Sequence, residues 1–468
     1  MYYKQDENKM YQAQTIVVNK QKEAKLFHYC EEQCHAAKLL RNATIFRGRQ
    51  LLFAYNKDYK NLKVHQIEVI DEFNTYTSDK YGKISKEHYL PYFQEFEYLY
   101  KKSNNPDYFN PILTAQTRTR VVKQAMEDFS SFFKSTKKYY TNNTNYTGKP
   151  NYPKYTKSET ITVDYSNQDC AIYEINNITY LKLPHMKKNK NAKIKPKKWG
   201  YINLGKLKIG KLMNLKISPY YDTYKISLVY EIEKSNHSLD NTRILGLDPG
   251  LNNFLTSSNN CGLSPFIING RDMKSYNQHY NERLAYLRSR LHKNQYTSKQ
   301  IKRLSKERDC YFNNKFHKII NYIMNYCIKN NIGTIVIGHN KLQKQNYNNG
   351  KIQNQHFCFM PNFKFLKMFK LKCVIYNLNI IETEESYTSQ ASFLDMDNIP
   401  TYKKGKNNNC QFNGKRTYRG LFESKDAICI NADVNGASNI IRKVFPNAFD
   451  NIKDFTYLIK TVTKITIK

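Results

Sequence analysis

The sequence predicts a multidomain α/β fold, and two observations carry this prediction. First, an apolar run at 244–247 ends at Asp248, and a turn with Gly250 leads into a second apolar run, which is the pattern of a β-hairpin. Second, strand and helix patterns alternate over the rest of the second half, whereas the first half has long helical patterns followed by short alternating strands. The second half therefore predicts a mixed sheet flanked by helices.

The order of elements in the second half is typical of RNase H-like folds. Strands are expected at 244–248, 253–258 and 264–269, then a helical pair, a strand at 334–337, a helix at about 361–378, a strand at 379–385 and a closing helix. The second helix of the pair is expected to begin at a capping box with Thr297 as N-cap and Gln300 at the third helical position.

In the first half of the chain, the patterns predict a strand, then several helices, and then a series of short strands. Apolar residues at helical spacing indicate helices at 20–56, 86–102 and about 115–139. Alternating apolar and polar residues indicate a strand at 14–18 and a small β-barrel or sandwich, after a polar linker at 141–150, with strands at 159–165, 170–174, 178–183, 201–204, 213–217 and 224–232.

Charge and composition indicate the class of partner. The 75 Lys and Arg residues exceed the 39 Asp and Glu residues, and the net charge is +36. A polyanion neutralises such self-repulsion, so nucleic acid is the expected partner. No apolar run approaches the roughly 18 residues that span a bilayer, and no signal peptide is recognisable, so we expect a cytoplasmic, nucleoid-associated protein with no membrane partner.

The ten cysteines contain no C-x-x-C pair, so neither disulfides nor a thiolate zinc site is expected. The 39 tyrosines, interleaved with lysines, suit base stacking and phosphate contact, although an AT-rich genome would give the same enrichment.

Basic and aromatic side chains on two predicted helices and two loops are candidates for nucleic-acid contact. Lysine and arginine would neutralise phosphates, and the aromatic rings would stack on bases. For the helical residues, an ordinary solvated face is the alternative. The candidates are Arg118, Arg120, Lys123, Lys149, Tyr152, Lys154, Trp199, Lys302, Arg303 and Lys306.

Two aspartates predict the chemistry. Asp248 ends a strand, and Asp433 opens a helix whose first turn stays small because it contains Gly436, Ala437 and Ser438. A strand-end aspartate and a helix-start aspartate form the carboxylate arrangement of RNase H-like nucleases. Such sites cleave phosphodiesters with two divalent ions about 4 Å apart. Because Mg²⁺ takes oxygen ligands, a third carboxylate is expected on a strand between the two aspartates.

Six motifs together resemble one family. They are Asn105-Pro106-Asp107-Tyr108 with Phe132-Phe133, the basic and aromatic stretch 149–155, the hairpin stretch 245–251, Phe316-His317-Lys318, Tyr387-Thr388-Ser389-Gln390, and 431–437. They resemble the TnpB (OrfB) proteins of bacterial insertion sequences, which are RNA-guided DNA endonucleases related to Fanzor proteins and type V CRISPR effectors. The resemblance implies a RuvC-type nuclease domain plus a β-barrel (wedge-type) domain with an inserted helical recognition domain.

The resemblance also implies domain limits. The β-barrel domain would comprise 1–19 and 141–235, and the recognition domain 20–140. The nuclease would comprise 241–386 and 429–468, the latter with a basic tail, and an insert would occupy 387–428.

The third carboxylate departs from the usual family pattern. The family commonly has a glutamate where this chain has Gly338, but some relatives carry it later, before the Thr-Ser motif. The resemblance implies Glu385, three residues before Thr388, as the third catalytic and metal-binding residue beside Asp248 and Asp433. Glu384 is the alternative. Strand alternation would place Glu384 and Glu385 on opposite faces.

The insert departs from the family as well. Relatives have a four-cysteine zinc ribbon there, but Ser392 and Asp395 occupy the positions of the first pair. Cys410 and Cys429 are too far apart to replace it. We therefore expect an insert without zinc, held by Phe393, Leu394, Phe412, Leu421 and Phe422.

The resemblance implies a transposon-encoded, RNA-guided DNA endonuclease with two Mg²⁺ ions. The oligomeric state is left open, with a monomer favoured. Its partners would be a guide RNA from the transposon end and a double-stranded DNA target, with guide pairing specifying the sequence. A nuclease-dead, repressor-like RNA-guided binding protein is the alternative. A guide-independent, structure-selective nuclease is a third hypothesis, against which the large basic first half argues.

Overall fold

The structure is a computed structural model that describes residues 10–55, 57–85, 91–143, 146–184, 200–233, 237–339, 360–401, 411–418 and 420–467. The chain divides into two compact units, Met1–Ile232 and Glu233–Lys468. No helix in these described ranges is both long enough and apolar enough to cross a membrane.

Within the described residues, the first unit combines four α-helices with seven strands. The helices are α1 (Ala24–Ala54), α2 (Val64–Tyr81), α3 (Phe93–Lys102) and α4 (Ala115–Thr141), with a 3-10 turn at Tyr59–Asn61. The strands are β1 (Met10–Val18), β2 (Val163–Ser166), β3 (Ala171–Ile175), β4 (Ile178–Lys182), β5 (Tyr201–Asn203), β6 (Leu212–Tyr220) and β7 (Thr223–Ile232).

Two sheets build the β-structure of this unit, in the orders β1-β7-β6-β2 and β3-β4-β5. β1 pairs with β7 in antiparallel register, from Met10 opposite Ile232 to Val18 opposite Tyr224. The four helices therefore lie, in sequence, between two strands, β1 and β7, that are neighbours in one sheet. A large buried core joins helical residues such as Leu40 to strand residues such as Ile226, and a smaller one joins Ile45 of α1 to Phe129 of α4.

Two helices of the first unit differ from expectation. α2 was not predicted, although its buried residues Val69, Phe73 and Thr77 recur at a spacing of four. Two of its four buried residues, Gln66 and Thr77, are polar, so the apolar face of the helix is narrow. The helix expected at 86–102 begins only at Phe93, with Tyr92 as its N-cap in extended conformation, and 86–90 lie outside the described residues.

The second unit contains the remaining elements. Its helices are α5 (Arg271–Ser289), α6 (Lys299–Lys329), α7 (Asn362–Ile375), α8 (Ala432–Val444) and α9 (Thr456–Ile459). Its strands are β8 (Asp240–Pro249), β9 (Asn253–Asn259), β10 (Phe266–Asn269), β11 (Ile332–Gly338), β12 (Asn379–Thr383), β13 (Lys415–Tyr418), β14 (Leu421–Glu423), β15 (Cys429–Asn431) and β16 (Thr463–Ile465).

The main sheet of the second unit has the order β12-β11-β8-β9-β10-β16. β8, β9 and β10 are antiparallel neighbours, whereas β11 and β12 run parallel to β8. Three antiparallel strands continued by two parallel strands that alternate with helices form an RNase H-like sheet. The predicted fold class is confirmed, and β16 extends the sheet alongside β10.

Two local predictions in this unit were wrong. The N-cap of α6 is Ser298, whose hydroxyl accepts a hydrogen bond from the backbone N–H of Ile301, so Thr297 lies one residue outside the helix. β12 ends at Thr383, so Glu384 and Glu385 follow the strand and strand alternation does not orient them. The turn that carries them makes its own hydrogen bonds, including Thr388 N–H to the carbonyl of Glu385.

α8 packs closely against the main sheet. A Cβ atom at Gly246 would lie 2.6 Å from the carbonyl oxygen of Ala437, and the hydroxyls of Ser258 and Ser438 are 2.6 Å apart. The small first turn predicted for this helix therefore allows its backbone to reach β8 and β9. This contact brings the start of α8 beside the end of β8.

The insert before α8 contains a three-stranded antiparallel sheet of β13, β14 and β15. Phe393 and Phe422 are buried, whereas Leu394, Phe412 and Leu421 are half-buried. β15 runs directly into α8.

Candidate active site

Asp248 lies on β8 opposite Thr256, with its carboxylate beside the first turn of α8. A Cβ atom at Gly436 would be 2.8 Å from Oδ2 of Asp248, so only glycine leaves room for this carboxylate. Burial, and then the negative charges of Glu385 and Asp433, raise the pKa of Asp248 well above its usual range, while Arg416 opposes the rise. A cation beside Asp248 would relieve this repulsion.

Asp433 is the second residue of α8. The side chain of Asn431 caps the helix by accepting hydrogen bonds from the backbone N–H groups of Asp433 and Val434. The Asp433 carboxylate accepts a 2.6 Å hydrogen bond from Nδ2 of Asn253 and a 3.4 Å contact from Nη2 of Arg416. These two side chains fix its orientation from β9 and β13.

Glu385 reaches into the space above Gly338. A Cβ atom at Gly338 would lie 2.8 Å from both Cγ and Oε1 of Glu385 and 3.0 Å from Cδ1 of Ile440. The carboxylate of Glu385 therefore occupies the place that a side chain at 338 would take. It is also close enough to Asp248 to raise the pKa of that carboxyl.

The two neighbouring glutamates have other partners. Glu384 forms an ion pair with Lys443 and accepts a 2.9 Å hydrogen bond from the backbone N–H of Ser386. Burial opposes its charge, but the hydrogen bonds from Lys443 and Ser386 prevail and lower its pKa. Glu382 forms an ion pair with Lys370. Of the three glutamates, Glu385 is thus the one that interacts with the aspartates.

The side chains of Asp248, Glu385 and Asp433 are all carboxylates, and carboxylate oxygens are suitable ligands for a hard cation such as Mg²⁺. Within the described residues, however, no group of three or more His, Cys, Asp or Glu side chains is arranged closely enough to hold a metal ion. Glu385 and Asp433 therefore act on the charge of Asp248, but in the described part of the chain these carboxylates form no ready coordination shell.

The three candidates for nucleic-acid contact on α4 differ in their surroundings. Arg118 is half-buried and donates to the carbonyls of Leu113 and Asn110 at 3.0 and 3.2 Å, so it supports the preceding turn. Lys123 lies 5.6 Å from the ring centre of Phe93. Arg120 is exposed.

The candidates in the loop after α4 are exposed. Lys149 lies over the ring of Tyr140 at 5.6 Å, and Lys154 is exposed. Tyr152 packs its ring against Phe53 and Phe132, yet 43% of its surface remains accessible. This loop presents two lysines and one partly accessible ring.

On α6, Lys302 and Arg303 are exposed, and Arg303 pairs with Glu307 one turn later. Lys306 is half-buried. Trp199 lies outside the described residues.

Sequence reasoning missed two side chains of the cleft, Asn253 and Arg416. Asn253 begins β9, and asparagine is so frequent in this chain that its position carries no signal of its own. Arg416 is one of several basic residues in the insert, and only the pairing of β13 with β14 places it near Asp433.

A family comparison agrees with the motifs. Residues 227–343 match the OrfB_IS605 family, described as a probable transposase. No curated protein matches the chain. The chain is similar to the cryo-EM structure of the Cas12f1–sgRNA–target DNA complex, with 14% identity, 86% of this chain and 82% of that chain covered, and a TM-score of 0.45. It is also similar to the mini-RNA-guided endonuclease CRISPR-Cas_phi3, with 10% identity, 93% and 92% covered, and a TM-score of 0.41.

The family match begins in β7 and runs through β8, β9, β10, α5, α6 and β11. It includes Asp248 and ends before Glu385 and Asp433. The resemblance to OrfB proteins of insertion sequences, predicted from the motifs, is thereby confirmed.

Proposed function

We propose that this protein is a transposon-encoded, RNA-guided DNA endonuclease whose nuclease site consists of Asp248, Glu385 and Asp433. One observation carries the proposal. The carboxylate of Glu385 covers Gly338 and acts with Asp433 on the charge of Asp248. Three acidic groups so placed, on the end of β8, the turn after β12 and the start of α8, form a negatively charged cluster.

The three carboxylates would hold two Mg²⁺ ions. When bound, the ions would supply a hydroxide nucleophile and stabilise the leaving oxygen of the phosphodiester. Asn253 keeps Asp433 oriented through its 2.6 Å hydrogen bond. Arg416 brings a guanidinium to the cleft, a group whose planar donors suit a phosphate.

The proposed partners are a guide RNA from the transposon end and a double-stranded DNA target. The charge of +36 and the exposed residues Arg120, Lys149 and Lys154 in the first unit support binding to a polyanion. We propose the first unit as the principal nucleic-acid holder and the second as the nuclease, acting as a monomer in the bacterial cytoplasm.

A plasmid-cleavage assay tests the proposal. The protein would be co-expressed with its transposon-end RNA, as wild type and as Glu385→Gln, with Glu384→Gln as the matched control. We expect Glu385→Gln to abolish cleavage while guided DNA binding persists, because Glu385 alone of this pair faces the aspartates. Cleavage that survives Glu385→Gln would contradict the assignment.

Gly338→Ala supplies a second variant for the same assay. Its added methyl group would displace the Glu385 side chain, and displacement of a catalytic group by about 1 Å can cost roughly 100-fold in rate. Gly420→Ala is the control, because a Cβ atom there meets nothing within 4 Å. Equal cleavage by both variants would show that Glu385 does not need this space.

A nuclease-dead RNA-guided binding protein is the second candidate. It is favoured by the absence, among the described residues, of a group of acidic or other ligating side chains already arranged for a metal. Guided DNA binding by the wild type without cleavage, at any Mg²⁺ or Mn²⁺ concentration, would establish it.

A further inference from the structure

The Thr-Ser motif leads into a segment, residues 387–397, that is bonded to α8 by two buried asparagines. We call it the anchor segment. Asn435 accepts a 2.8 Å hydrogen bond from the N–H of Phe393 and donates at 2.8 Å to the carbonyl of Ala391. Asn439, one turn later, donates to the carbonyls of Thr388 and Ala391 at 3.0 and 2.7 Å. The helix that begins with Asp433 therefore holds this segment directly.

Glu385 is joined to the same segment. The hydroxyl and the N–H of Thr388 both donate to the carbonyl of Glu385, at 2.8 and 3.2 Å. Because Thr388 is in turn bonded to Asn439, the backbone of Glu385 is connected to α8 through two hydrogen bonds in series.

Asp397 connects the other end of the anchor segment to the strand that carries Arg416. Its nearly buried carboxylate accepts hydrogen bonds from the N–H of Ser392 at 2.7 Å, and from the N–H and Nδ2 of Asn413 at 3.1 and 2.7 Å. Asn413 lies three residues before Arg416. Asp395 accepts at 2.9 Å from the N–H of Lys425, on the far side of the hairpin.

We propose that the anchor segment is a metal-free clamp in which Asp397, Asn435 and Asn439 are positioning residues for the nuclease site. It holds Glu385 and Arg416 at fixed distances from Asp433 by hydrogen bonds from side chains to backbone. Ser392 and Asp395 are part of this hydrogen-bonded network. The inference rests on the proposed function, since it assigns a role in the same site.

The test compares Asp397→Leu with Asp397→Asn. Leucine removes every acceptor, whereas asparagine keeps one oxygen for the N–H groups of Ser392 and Asn413, and the amide of Asn413 can rotate to accept from the new NH₂ group. Asparagine should therefore rescue a positioning role. The matched control is Asp240→Leu, which removes a carboxylate that accepts the N–H of Thr242 at the opposite end of β8.

Two readouts are needed, Mn²⁺ binding measured by calorimetry and guided DNA cleavage. Residues that orient metal ligands change affinity or activity by roughly 10–100-fold when replaced. We expect a loss of this size in both readouts for Asp397→Leu, recovery to within about threefold of wild type for Asp397→Asn, and unchanged guide-RNA binding in both. Wild-type behaviour is expected for Asp240→Leu.

Three results would overturn the inference alone: wild-type Mn²⁺ binding and cleavage by Asp397→Leu, equal losses in Asp397→Asn, or equal losses in Asp240→Leu. A wild-type protein that neither cleaves DNA nor binds Mn²⁺ in a manner that depends on Asp433 would overturn the proposed function, and the inference with it.

Discussion

The carboxyl group of Asp248 has a higher pKa in the folded protein than in an unfolded chain, where aspartate titrates near pH 3.9. As pH rises from about 4 through the folded pKa, the unfolded chain releases this proton before the folded protein does. Ionisation of Asp248 therefore destabilises the metal-free fold progressively over that window. Below the unfolded pKa the group is protonated in both states and contributes no difference.

Asp248→Asn should accordingly stabilise the metal-free protein while abolishing cleavage. With a chelator present to remove divalent ions, we expect the melting temperature of the variant to exceed that of the wild type at pH 8. The difference should shrink towards pH 4. Differential scanning calorimetry at several pH values measures this, with the exposed Asp426→Asn as control. A variant less stable than wild type at pH 8 would show that the repulsion is relieved in another way.

At the scale of one element, a side chain at the amino terminus of α6 stabilises that helix. The hydroxyl of Ser298 accepts from the N–H of Ile301, and the neighbouring Thr297 lies outside the helix. Removing an N-cap side chain costs about 1 kcal/mol. The cap matters for the site because α6 packs its buried face against the core under β8 and β11.

Ser298→Ala should lower the free energy of unfolding of the second unit by about 1 kcal/mol, whereas Thr297→Ala should change it by less than about half of that. Urea denaturation of the two variants separates these positions. Equal losses would indicate that Thr297 shares the capping role that the sequence assigned to it.

Across the whole molecule, the basic residues are of two kinds: exposed ones that can contact nucleic acid, and half-buried ones that support the fold. Lys154 is exposed in a loop, whereas Arg118 is half-buried and bonded to backbone carbonyls. Removing one lysine that contacts a phosphate reduces the slope of log affinity against log salt concentration by about one. Losing a structural arginine instead lowers stability.

Lys154→Ala should therefore weaken RNA binding and reduce the slope of log K against log salt by about one, with thermal stability unchanged. Arg118→Ala should lower the melting temperature, with little change in slope. Filter-binding titrations between low and moderate salt, beside thermal melts, distinguish the two. A reduced slope for Arg118→Ala would place its guanidinium on the nucleic acid.

Sequence patterns were sufficient to predict the order of the elements from β8 to β12, the closing helix α8, and the close approach of α8 to the sheet. Those features follow from local patterns, namely apolar periodicity, turns, and the small residues Gly436, Ala437 and Ser438. Short-range signals of this kind also indicated the start of α6 to within one residue. The catalytic roles assigned to Asp248, Glu385 and Asp433 stay predictions.

Which side chains meet is known only from the folded arrangement of the elements. Glu385 covers Gly338 across a long stretch of sequence, Asn253 holds Asp433 from another strand, and Arg416 arrives on a hairpin of the insert. In the same way, Arg118 was expected to contact nucleic acid, but its guanidinium hydrogen-bonds to the backbone of the turn before α4. Such contacts join residues far apart in the chain, and no periodicity or spacing encodes them because they depend on how packed elements fix each backbone.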